Sequence, residues 1–459
     1  MNRIQYLDSL RLFAILGVIH VHSTYKFDLS SCYQDWLCSC VRDCAPRWII
    51  PVFVMLSGVF MLNPKKVITL KENFTLRIPR FLIAYVSWWL IYCLYKVGIG
   101  VVTNNLKISI FGESHGKSIG ALIDNLPAGE KIDFEEILRD MKRRAPGNYN
   151  FSTDRKEEDI PEILSGISNG CTTGAPVCAI ISNKNYNSKD YENILEKLRP
   201  GHADYTANMR YNGFNDVAGG GHLSGRLTAP LVFCGALCKQ ILKRRGVLIG
   251  AHISSIGKVT DDKFNTNIEK SLLDKLSKSE GLTLINDSLY KDFYNEIMSY
   301  KNAGDSIGGT VECAIIGVPG GIGDPMFYGV ENIISSLVFS IPGIKGIEFG
   351  NGFDCSKISG SENNDEFFIE KNSIFTKTNN HGGILGGISS GMPIVFRVAV
   401  KPTPSIKKEQ STVNIKYLKS EKISVVGRHD PCIVPRVVPC VEAVAAIAIL
   451  DLMLGEGKI

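Results

Sequence analysis

The sequence predicts an α+β domain that follows an all-α membrane segment of up to three helices. Residues 1–100 hold 11 Lys and Arg against 5 Asp and Glu, whereas the other 359 residues hold 40 against 41. All four tryptophans lie in this first part, but only 4 of the 44 glycines do, and the later glycines link short strand and helix patterns. We therefore divide the chain into a membrane segment at 1–100 and a globular domain at 105–459.

Three apolar stretches, at residues 12–25, 48–63 and 81–102, predict the membrane helices. The third approaches the ~20 residues that cross a bilayer, and its single charge, Lys96, lies near one end. Each stretch alone could be the buried helix of a globular domain, but three in succession beside tryptophans favour a membrane. The basic loop at 64–80 is expected on the cytoplasmic side, so the positive charge indicates membrane flanks and not nucleic-acid binding.

The motifs YLDSLRLFAILGVIHVHS and PVFVMLSG in this segment resemble the start of the acyltransferase family 3 membrane proteins, which transfer acyl groups to sugars. The resemblance places Asp8, Arg11 and His22 at motif positions of that family. Because the family builds its acceptor pocket from many more spans, we expect an inactive fragment or an anchor. A histidine at the end of a helix could also lie at the membrane interface for no chemical reason.

Two motifs in the globular domain, residues 105–459, contain candidate catalytic histidines. In LKISIFGESHG a strand pattern runs into a tight turn, where Gly112 and Gly116 let the backbone bend and His115 projects. In RPGHADYT a Pro-Gly turn precedes His202, and Asp204 could orient its ring or form a local Asx turn. A histidine in a turn is more often structural than catalytic, so neither motif decides the chemistry alone.

Three further motifs supply cations. AGGGHLSGRLTAP places Arg226 at the start of a long apolar helix pattern near Leu227, where backbone N–H groups and a guanidinium favour phosphate. KPTPSI sets a lysine and two hydroxyls in a rigid loop. GRHDPCIVPR concentrates charges beside apolar residues, as a solvated loop or a charged pocket would. Together they suit a small polyanionic substrate with a phosphate leaving group, and histidines supply protons near neutral pH.

The motifs FGESHG, RPGHADYT, GGGHLSGRLTAP, GGILGGISSG, KPTPSI and GRHDPC occur in the order found in the chorismate synthase family, and the resemblance covers residues 105–459. It implies a β-α-β sandwich, with helices between antiparallel sheets, that assembles as a homotetramer. It also implies a lyase that eliminates phosphate from 5-enolpyruvylshikimate 3-phosphate in a trans-1,4 sense to give chorismate, the last step of the shikimate pathway. Reduced FMN would be the cofactor, without net redox change.

The same resemblance assigns roles to individual residues. His115 would protonate or stabilise the leaving phosphate, His202 would hold a proton at the reduced flavin, and Asp430 would accept or relay a proton near flavin N5. The phosphate and carboxylates of the substrate would be bound by Arg144, Arg226 and Arg436. Flavin contacts would come from His222, Leu223, Ser224, Gly386, Lys401, Pro402, Thr403, Pro404, Ser405 and Arg428.

Three positions depart from the family pattern. Asn150 and Ala218 stand where arginine is common, and Pro342-Gly343 stands where Asn-Ala is common. From the first two we expect no built-in flavin reductase and dependence on a separate one, and from the third a looser flavin site. No metal is expected, because the cysteines after residue 100 lack C-x-x-C pairs, and they fit a reducing cytoplasm.

The boundary between the membrane segment and the globular domain, near residue 100, leads to two conflicting expectations about the location of the domain. A third stretch that spans fully from a cytoplasmic loop would export the domain, whereas reduced FMN and the phosphorylated substrate are cytoplasmic. We expect a cytoplasmic catalytic domain attached to the membrane through residues 1–100, and a gene fusion or a join of two fragments in preference to native tethering. The alternative function, a membrane O-acyltransferase fragment fused to an inactive flavin-binding module, is disfavoured by the presence of His115, His202 and Asp430.

Overall fold

The computed structural model describes residues 105–147, 151–152, 157–183, 196–425 and 430–458. The three apolar stretches of the N-terminal segment lie outside these residues, together with Asp8, Arg11, His22, Asn150 and Arg428. The membrane helices and the roles given to those residues therefore stay predictions.

The described residues form a mixed set of strands and helices. The strands are β1 (Lys107–Gly112), β2 (Ser118–Asp124), β3 (Glu162–Ser165), β4 (Ile167–Ser168), β5 (Cys171–Thr172), β6 (Val177–Ser182), β7 (Leu248–Ile256), β8 (Val259–Thr260), β9 (Gly309–Ile316), β10 (Ile344–Phe349), β11 (Phe367–Glu370), β12 (Ser373–Thr376), β13 (Ile384–Leu385), β14 (Ile388–Ser389), β15 (Ile394–Val400), β16 (Gln410–Asn414) and β17 (Lys419–Ile423). The α-helices are α1 (Phe134–Arg144), α2 (Asp204–Tyr211), α3 (Thr228–Arg244), α4 (Lys270–Ser277), α5 (Tyr290–Asn302), α6 (Val330–Val338), α7 (Gly360–Asn363) and α8 (Val434–Gly455). Short 3-10 helices occupy Ala218–Leu223, Gly225–Leu227, Asp287–Leu289 and Gly352–Lys357.

One sheet has four antiparallel strands in the order β1-β2-β6-β3. Strand β2 buries Ile119, Ala121 and Ile123 completely, since every second side chain of a strand faces the same side and this side meets the core. Edge strand β1 follows the alternation predicted for LKISIFG and ends at Gly112. The predicted turn of the GESHG motif therefore starts where this sheet ends.

A second sheet has five antiparallel strands in the order β10-β15-β9-β7-β8. Its central strand β9 is buried on both faces, with Val311 and Cys313 in the main core and Ala314 against Leu273 and Leu276 of α4. A strand covered on both sides reads as a continuous apolar run, as the segment CAII does. The sheet therefore forms an inner layer of the domain.

Helices α1, α3 and α8 lie between the two sheets. Helix α3 begins at Thr228, where the apolar pattern predicted it, and packs against β2 on one side and α8 on the other. The two helices approach closely at Gly235, where a Cβ would lie 2.2 Å from the Cβ of Ala443. This arrangement confirms the predicted β-α-β sandwich with helices between antiparallel sheets.

Helix α8 is the central element of the helical layer. Within the described ranges it is the one helix whose length and composition would allow it to cross a membrane. Its residues Val441, Val444 and Leu450 are completely buried among the neighbouring helices and strands. The apolar character of α8 thus matches its position in a protein core.

A buried ionic network, which we call the helix network, joins Arg143, Asp140, Lys239 and Glu442 inside this layer. The carboxylate of Glu442 accepts hydrogen bonds from Arg143 Nη1 at 2.7 Å, Arg143 Nη2 at 3.0 Å, Lys239 Nζ at 2.8 Å and Ala251 N at 3.1 Å. Burial would raise the pKa of Glu442, but Arg143 and Lys239 outweigh it and lower the pKa to about 2. The network connects α1, α3, α8 and β7.

A second buried ionic group lies in the five-stranded sheet. His252 is fully buried, and its Nδ1 and Nε2 lie 2.9 Å from Asp261 and 3.1 Å from Glu312. Burial would lower the pKa of His252, but the hydrogen bonds to the two carboxylates outweigh it and raise the pKa. Because both ring nitrogens face carboxylates, the charged imidazolium satisfies both of them.

Candidate functional site

The GESHG turn packs onto the glycine loop at 218–223. Gly112 has φ +95°, and a Cβ there would lie 2.5 Å from the carbonyl oxygen of Ser118. Ser114 N donates to Gly221 O at 3.2 Å, and Ser114 Oγ donates to Ala218 O at 3.1 Å. With its hydroxyl proton used in this way, Ser114 Oγ accepts from His115 Nδ1 at 3.0 Å. The ring of His115 is therefore held in one orientation through Nδ1.

The glycine loop also brings the second histidine motif to the first. Gly219, Gly220 and Gly221 all have positive φ, at 61°, 89° and 52°. A Cβ on Gly219 would lie 2.2 Å from Cε1 of His115, and a Cβ on Gly220 would lie 3.1 Å from Cε1 of His202. Both predicted catalytic histidines thus lie against consecutive glycines of one loop, at positions that a side chain would fill.

Asp204 holds the ring of His202 in one orientation. Its Oδ1 lies 2.6 Å from His202 Nδ1, and the carboxylate also receives Arg199 Nε at 2.8 Å and Nη2 at 2.7 Å. Burial would raise the pKa of Asp204, but the hydrogen bonds from Arg199 and His202 outweigh it and hold the pKa far below its usual range. Arg199 Nη2 also lies 3.2 Å from His202 Nδ1, but the ionised carboxylate at 2.6 Å is the closer partner. It favours the proton on Nδ1, so Nε2 of His202 is the nitrogen for proton exchange. Of the two roles considered for Asp204, the structure supports orientation of the ring.

Two of the residues that follow the glycines make hydrogen bonds that hold the glycine loop in place. His222 Nδ1 donates to the carbonyl oxygen of Gly112 at 2.9 Å, which ties the loop to the end of β1. Ser224 Oγ accepts from Arg226 N at 3.3 Å and caps the 3-10 turn before α3, while Leu223 is partly exposed. The flavin contacts predicted for these three residues stay predictions.

Three predicted substrate arginines converge beneath this loop, beginning with Arg144 at the end of α1. Arg144 is 1% exposed and donates from Nε to Thr228 Oγ1 at 3.0 Å, from Nη1 to Asp159 Oδ2 at 2.5 Å and from Nη2 to Gly225 O at 3.3 Å. Burial lowers the pKa of this guanidinium to about 10, so it remains charged at neutral pH.

Arg226 joins the same cluster from the 3-10 helix Gly225–Leu227, directly before α3. Its Nη1 pairs with Asp159 Oδ1 and lies 2.6 Å from Glu157 Oε2, and its Nε donates to Asn183 Oδ1 at 3.1 Å. The residue is 6% exposed, and its Nη2 has no hydrogen-bond partner among the described residues. A buried donor without a partner is unfavourable in a folded protein, which makes this nitrogen a candidate ligand contact.

Asn183 connects the arginine cluster with the histidine turn. Besides accepting from Arg226, its side chain donates from Nδ2 to Glu113 O at 3.1 Å and to Gly116 O at 2.8 Å. These two carbonyls lie on either side of His115 in the chain. Asn183 thus links Arg226 to the backbone of the turn that carries His115.

Arg436 and Asp430 complete the cluster from the start of α8. Arg436 Nη1 pairs with Asp430 Oδ2, and Arg436 Nε donates to the backbone oxygen of Arg144 at 3.0 Å. Burial would lower the pKa of Arg436, but Asp430 outweighs it and raises the pKa. Three predicted residues from opposite ends of the domain are therefore in contact.

The KPTPS loop lies beside the turn that carries His202. Lys401 Nζ donates to Gly201 O at 2.5 Å, and a Cβ on Gly201 would lie 3.5 Å from Pro404 Cβ.

The other residues of the KPTPS loop range from exposed to buried. Thr403 O accepts from Ser306 Oγ at 2.7 Å, whereas Thr403 Oγ1 is buried with no partner among the described residues. Pro402 and Ser405 continue the same loop, and Ser405 is buried. Lys401 N donates to Gly343 O at 2.9 Å, so the departing Pro342-Gly343 pair adjoins this loop.

The family model described as chorismate synthase matches residues 106–454. The chain belongs to the chorismate synthase family. A second model, described as an acyltransferase domain, matches residues 4–116, in agreement with the resemblance found in the N-terminal motifs. The two matches overlap at 106–116, which contains β1 and the GESHG turn.

Curated relatives and a solved structure support the assignment. The chorismate synthase of Dehalococcoides mccartyi is 44% identical over 353 residues, 77% of this chain and 96% of the relative. That of Methanocaldococcus jannaschii is 45% identical over 365 residues, 77% of this chain and 96% of the relative. A crystal structure of chorismate synthase superposes with a TM-score of 0.60 at 30% identity and covers 76% of this chain and 92% of its own.

One residue implied by the chorismate synthase resemblance lies apart from the others. Gly386 has φ +63° in the turn between β13 and β14, and nothing lies within 4 Å of a Cβ placed on it. The contacts of this hairpin go to the segment 319–330, for example from Val330 N to Gly387 O at 2.8 Å. Within the described residues, no contact of Gly386 reaches the two histidines or the arginines. Arg428 lies outside the described residues.

Sequence reasoning missed several members of the site. Asn183, Glu157 and Asp159 were not singled out, because RKEED reads as a charged surface run and a lone asparagine carries no signal. The one available hint was that Ile160-Pro161 follows the acidic run directly. Among the described residues, all eight cysteines are free thiols, and no group of three or more His, Cys, Asp or Glu side chains could hold a metal ion.

Proposed function

We propose that this chain is a carbon–oxygen lyase that converts 5-enolpyruvylshikimate 3-phosphate into chorismate and phosphate. The observation that carries the proposal is the convergence of His115 and His202 on one glycine loop, which hydrogen bonds link to the buried Arg144 and Arg226 and the half-buried Arg436. The reaction breaks a C–O bond to phosphate and a ring C–H bond, and a second ring double bond forms. A site that combines cations with two proton-exchanging histidines suits both bond cleavages.

The arginine cluster binds the substrate anions. Arg226 Nη2 is a buried donor without a partner in the described part of the chain, and Arg144 and Arg436 supply positive charge next to it. His115 reaches the same region through the Asn183 bridge and gives a proton to the departing phosphate. Protonation and charge neutralisation together make phosphate a better leaving group.

His202 and Asp430 handle the remaining protons. The carboxylate of Asp204 keeps the proton of His202 on Nδ1, so that Nε2 alternately holds and releases a proton at the glycine loop. Asp430, held by Arg436, accepts or relays the ring proton. Each residue thus has a partner that fixes its orientation before the substrate binds.

The KPTPS loop and the glycine loop are suited to hold reduced FMN. Buried Thr403 Oγ1 has no partner within the described ranges, Lys401 has only part of its donor capacity engaged, and the left-handed glycines expose backbone that an ordinary side chain would cover. Reduced flavin, when bound, supplies electron density while phosphate leaves and recovers it afterwards. Since Ala218 replaces a common arginine, the reduced flavin comes from a separate reductase.

We further propose a homotetramer whose catalytic domains, residues 105–459, are cytoplasmic. The segment 1–100, which matches the acyltransferase model, attaches them to the membrane. Three predicted spans are too few for an acyltransferase bundle, so the segment acts as an anchor and not as a second enzyme.

The test is anaerobic chorismate formation by the full-length chain in detergent, with reduced FMN and 5-enolpyruvylshikimate 3-phosphate. A parallel reaction uses a shortened chain that begins at Asn104. We expect chorismate and an equal amount of phosphate from both. Substrate that remains intact in both reactions, with folded protein present, would contradict the proposed activity.

A further inference from the structure

Asp159 occupies an unusual position between the substrate arginines. Its side chain is completely buried, with Oδ2 held by Arg144 Nη1 at 2.5 Å and Oδ1 held by Arg226 Nη1. The two arginines come from different elements, α1 and the 3-10 helix Gly225–Leu227 that precedes α3. A single carboxylate therefore sets the separation of two guanidinium groups.

The backbone of Asp159 is in the left-handed region. Its φ is +52°, a conformation that aspartate and asparagine adopt more readily than other residues except glycine. The ion pairs to Arg144 and Arg226 hold the side chain that projects from this backbone.

The same bridge leaves one nitrogen of Arg226 unused. Nη1 faces Asp159 and Glu157, and Nε faces Asn183. Nη2 is buried and has no hydrogen-bond partner in the described ranges. Asp159 thus fixes the guanidinium in an orientation in which one donor remains for an incoming anion.

We infer that Asp159 is a positioning residue for the substrate phosphate, an inference that rests on the proposed function. It holds Arg144 and Arg226 at a set separation and directs Arg226 Nη2 towards the leaving group. It also offsets part of their positive charge, so that product phosphate is released. This role predicts opposite effects on phosphate binding and on turnover when the charge of Asp159 is removed.

The principal variant is Asp159→Asn, studied in the full-length chain in detergent. Asparagine has nearly the same shape and tolerates a positive φ, so the change removes the charge and one of the two acceptor oxygens with little change in volume. Two like charges then lack their shared counter-ion, and an added anion gains affinity. We expect inorganic phosphate to bind at least about tenfold more tightly by isothermal titration calorimetry, while kcat falls at least about tenfold. Weaker phosphate binding in this variant would overturn the inference, since a purely structural role predicts that result.

Asp159→Glu is the second variant, and it decides the question if Asp159→Asn does not fold. Glutamate keeps the charge but displaces it by one methylene. We expect phosphate affinity within about threefold of the parent and a fall in kcat of at least about tenfold. An unchanged kcat would contradict the positioning role. Asp274→Asn, which alters an exposed carboxylate 3.6 Å from Lys278, is the matched control and should change neither quantity.

The two readouts separate this inference from the proposed function. Phosphate titration needs no substrate turnover. If the parent chain binds phosphate but forms no chorismate, the proposed reaction fails, and the affinity change in Asp159→Asn still tests the charge role of Asp159.

Discussion

Arg143 and Arg144 are neighbours at the end of α1, yet they enter two buried ionic clusters of different character. Arg143 faces Glu442 in the helix network, where the carboxylate accepts four N–H groups. Arg144 faces Asp159, which also holds Arg226. The first cluster is closed around its carboxylate. The second includes a buried donor, Arg226 Nη2, that no described residue engages.

This difference shows how buried charge serves two purposes in one domain. A carboxylate with its acceptor capacity filled connects helices and has no capacity left for a ligand. A guanidinium with a donor to spare is poised to bind an anion, although its burial without that anion is unfavourable. Substitutions in the helix network should therefore change stability, and substitutions around the glycine loop should change activity.

The largest expected effect is on turnover at the two histidines. His115→Ala and His202→Ala each remove a proton-exchanging group, and we expect kcat to fall by about 10²- to 10⁴-fold. Neither ring is part of the buried ionic clusters, so the urea midpoint of unfolding should remain close to that of the parent. Anaerobic stopped-flow measurement of chorismate formation gives kcat. Near-normal rates in both variants would contradict the catalytic roles of the two histidines, and with them the difference in function between the glycine-loop site and the helix network.

The next effect is on stability at Glu442. Glu442→Gln leaves Arg143 and Lys239 buried without a full counter-charge, and we expect a loss of about 3–5 kcal/mol in the free energy of unfolding. Urea unfolding followed by circular dichroism measures this loss. The matched control is Glu136→Gln, which breaks a partly exposed pair with Lys243 and should cost no more than about 1 kcal/mol. A stable Glu442→Gln protein with greatly reduced kcat would show that the network belongs to the site.

A smaller effect on turnover is expected at Asp204. In Asp204→Asn the amide no longer fixes the proton of His202 on Nδ1, and we expect kcat to fall about 10- to 100-fold. A variant with lower stability but the parent kcat would assign Asp204 a structural role only.

The smallest effect is a pH dependence of stability that comes from His252. Its pKa in the folded chain lies above the ordinary value of 6.5, so its contribution is complete below pH 6.5 and is lost as pH rises through the raised value. We expect the free energy of unfolding to fall as pH rises above about 6.5. Glu312→Gln removes one of the two carboxylates and should flatten this dependence. An equal slope in the variant would show that other groups cause it.

The sequence predicted the local elements and the candidate site residues better than the contacts between those residues. The strand before His115 and the helix start at Thr228 follow from local patterns, because strand alternation, glycine turns and apolar periodicity depend on neighbouring residues. The roles of the histidines and arginines, and the choice of Arg144, came from the resemblance of the motifs to a family. The partners of Arg143 and Arg144 depend on the directions in which two consecutive side chains of one helix point. They also depend on α8, nearly three hundred residues away, which supplies Glu442 to Arg143 and Arg436 to the backbone of Arg144. Asp159 and Asn183 carry no local signal, since only the folded chain buries them. The position of Gly386, on a hairpin apart from the cluster, likewise depends on tertiary structure.

Helix α8 has a consequence for how the domain is made. It is the last described element in the chain, yet it lies at the centre of the core, and Asp451 near its end accepts a hydrogen bond from Leu106 N at 2.7 Å. Contacts between such distant residues form late and slow the search for the native state. A ribosome must therefore release nearly the whole domain before its interior can close. Until then both sheets expose apolar faces, and chaperones that shield nascent chains should be needed at that stage of synthesis.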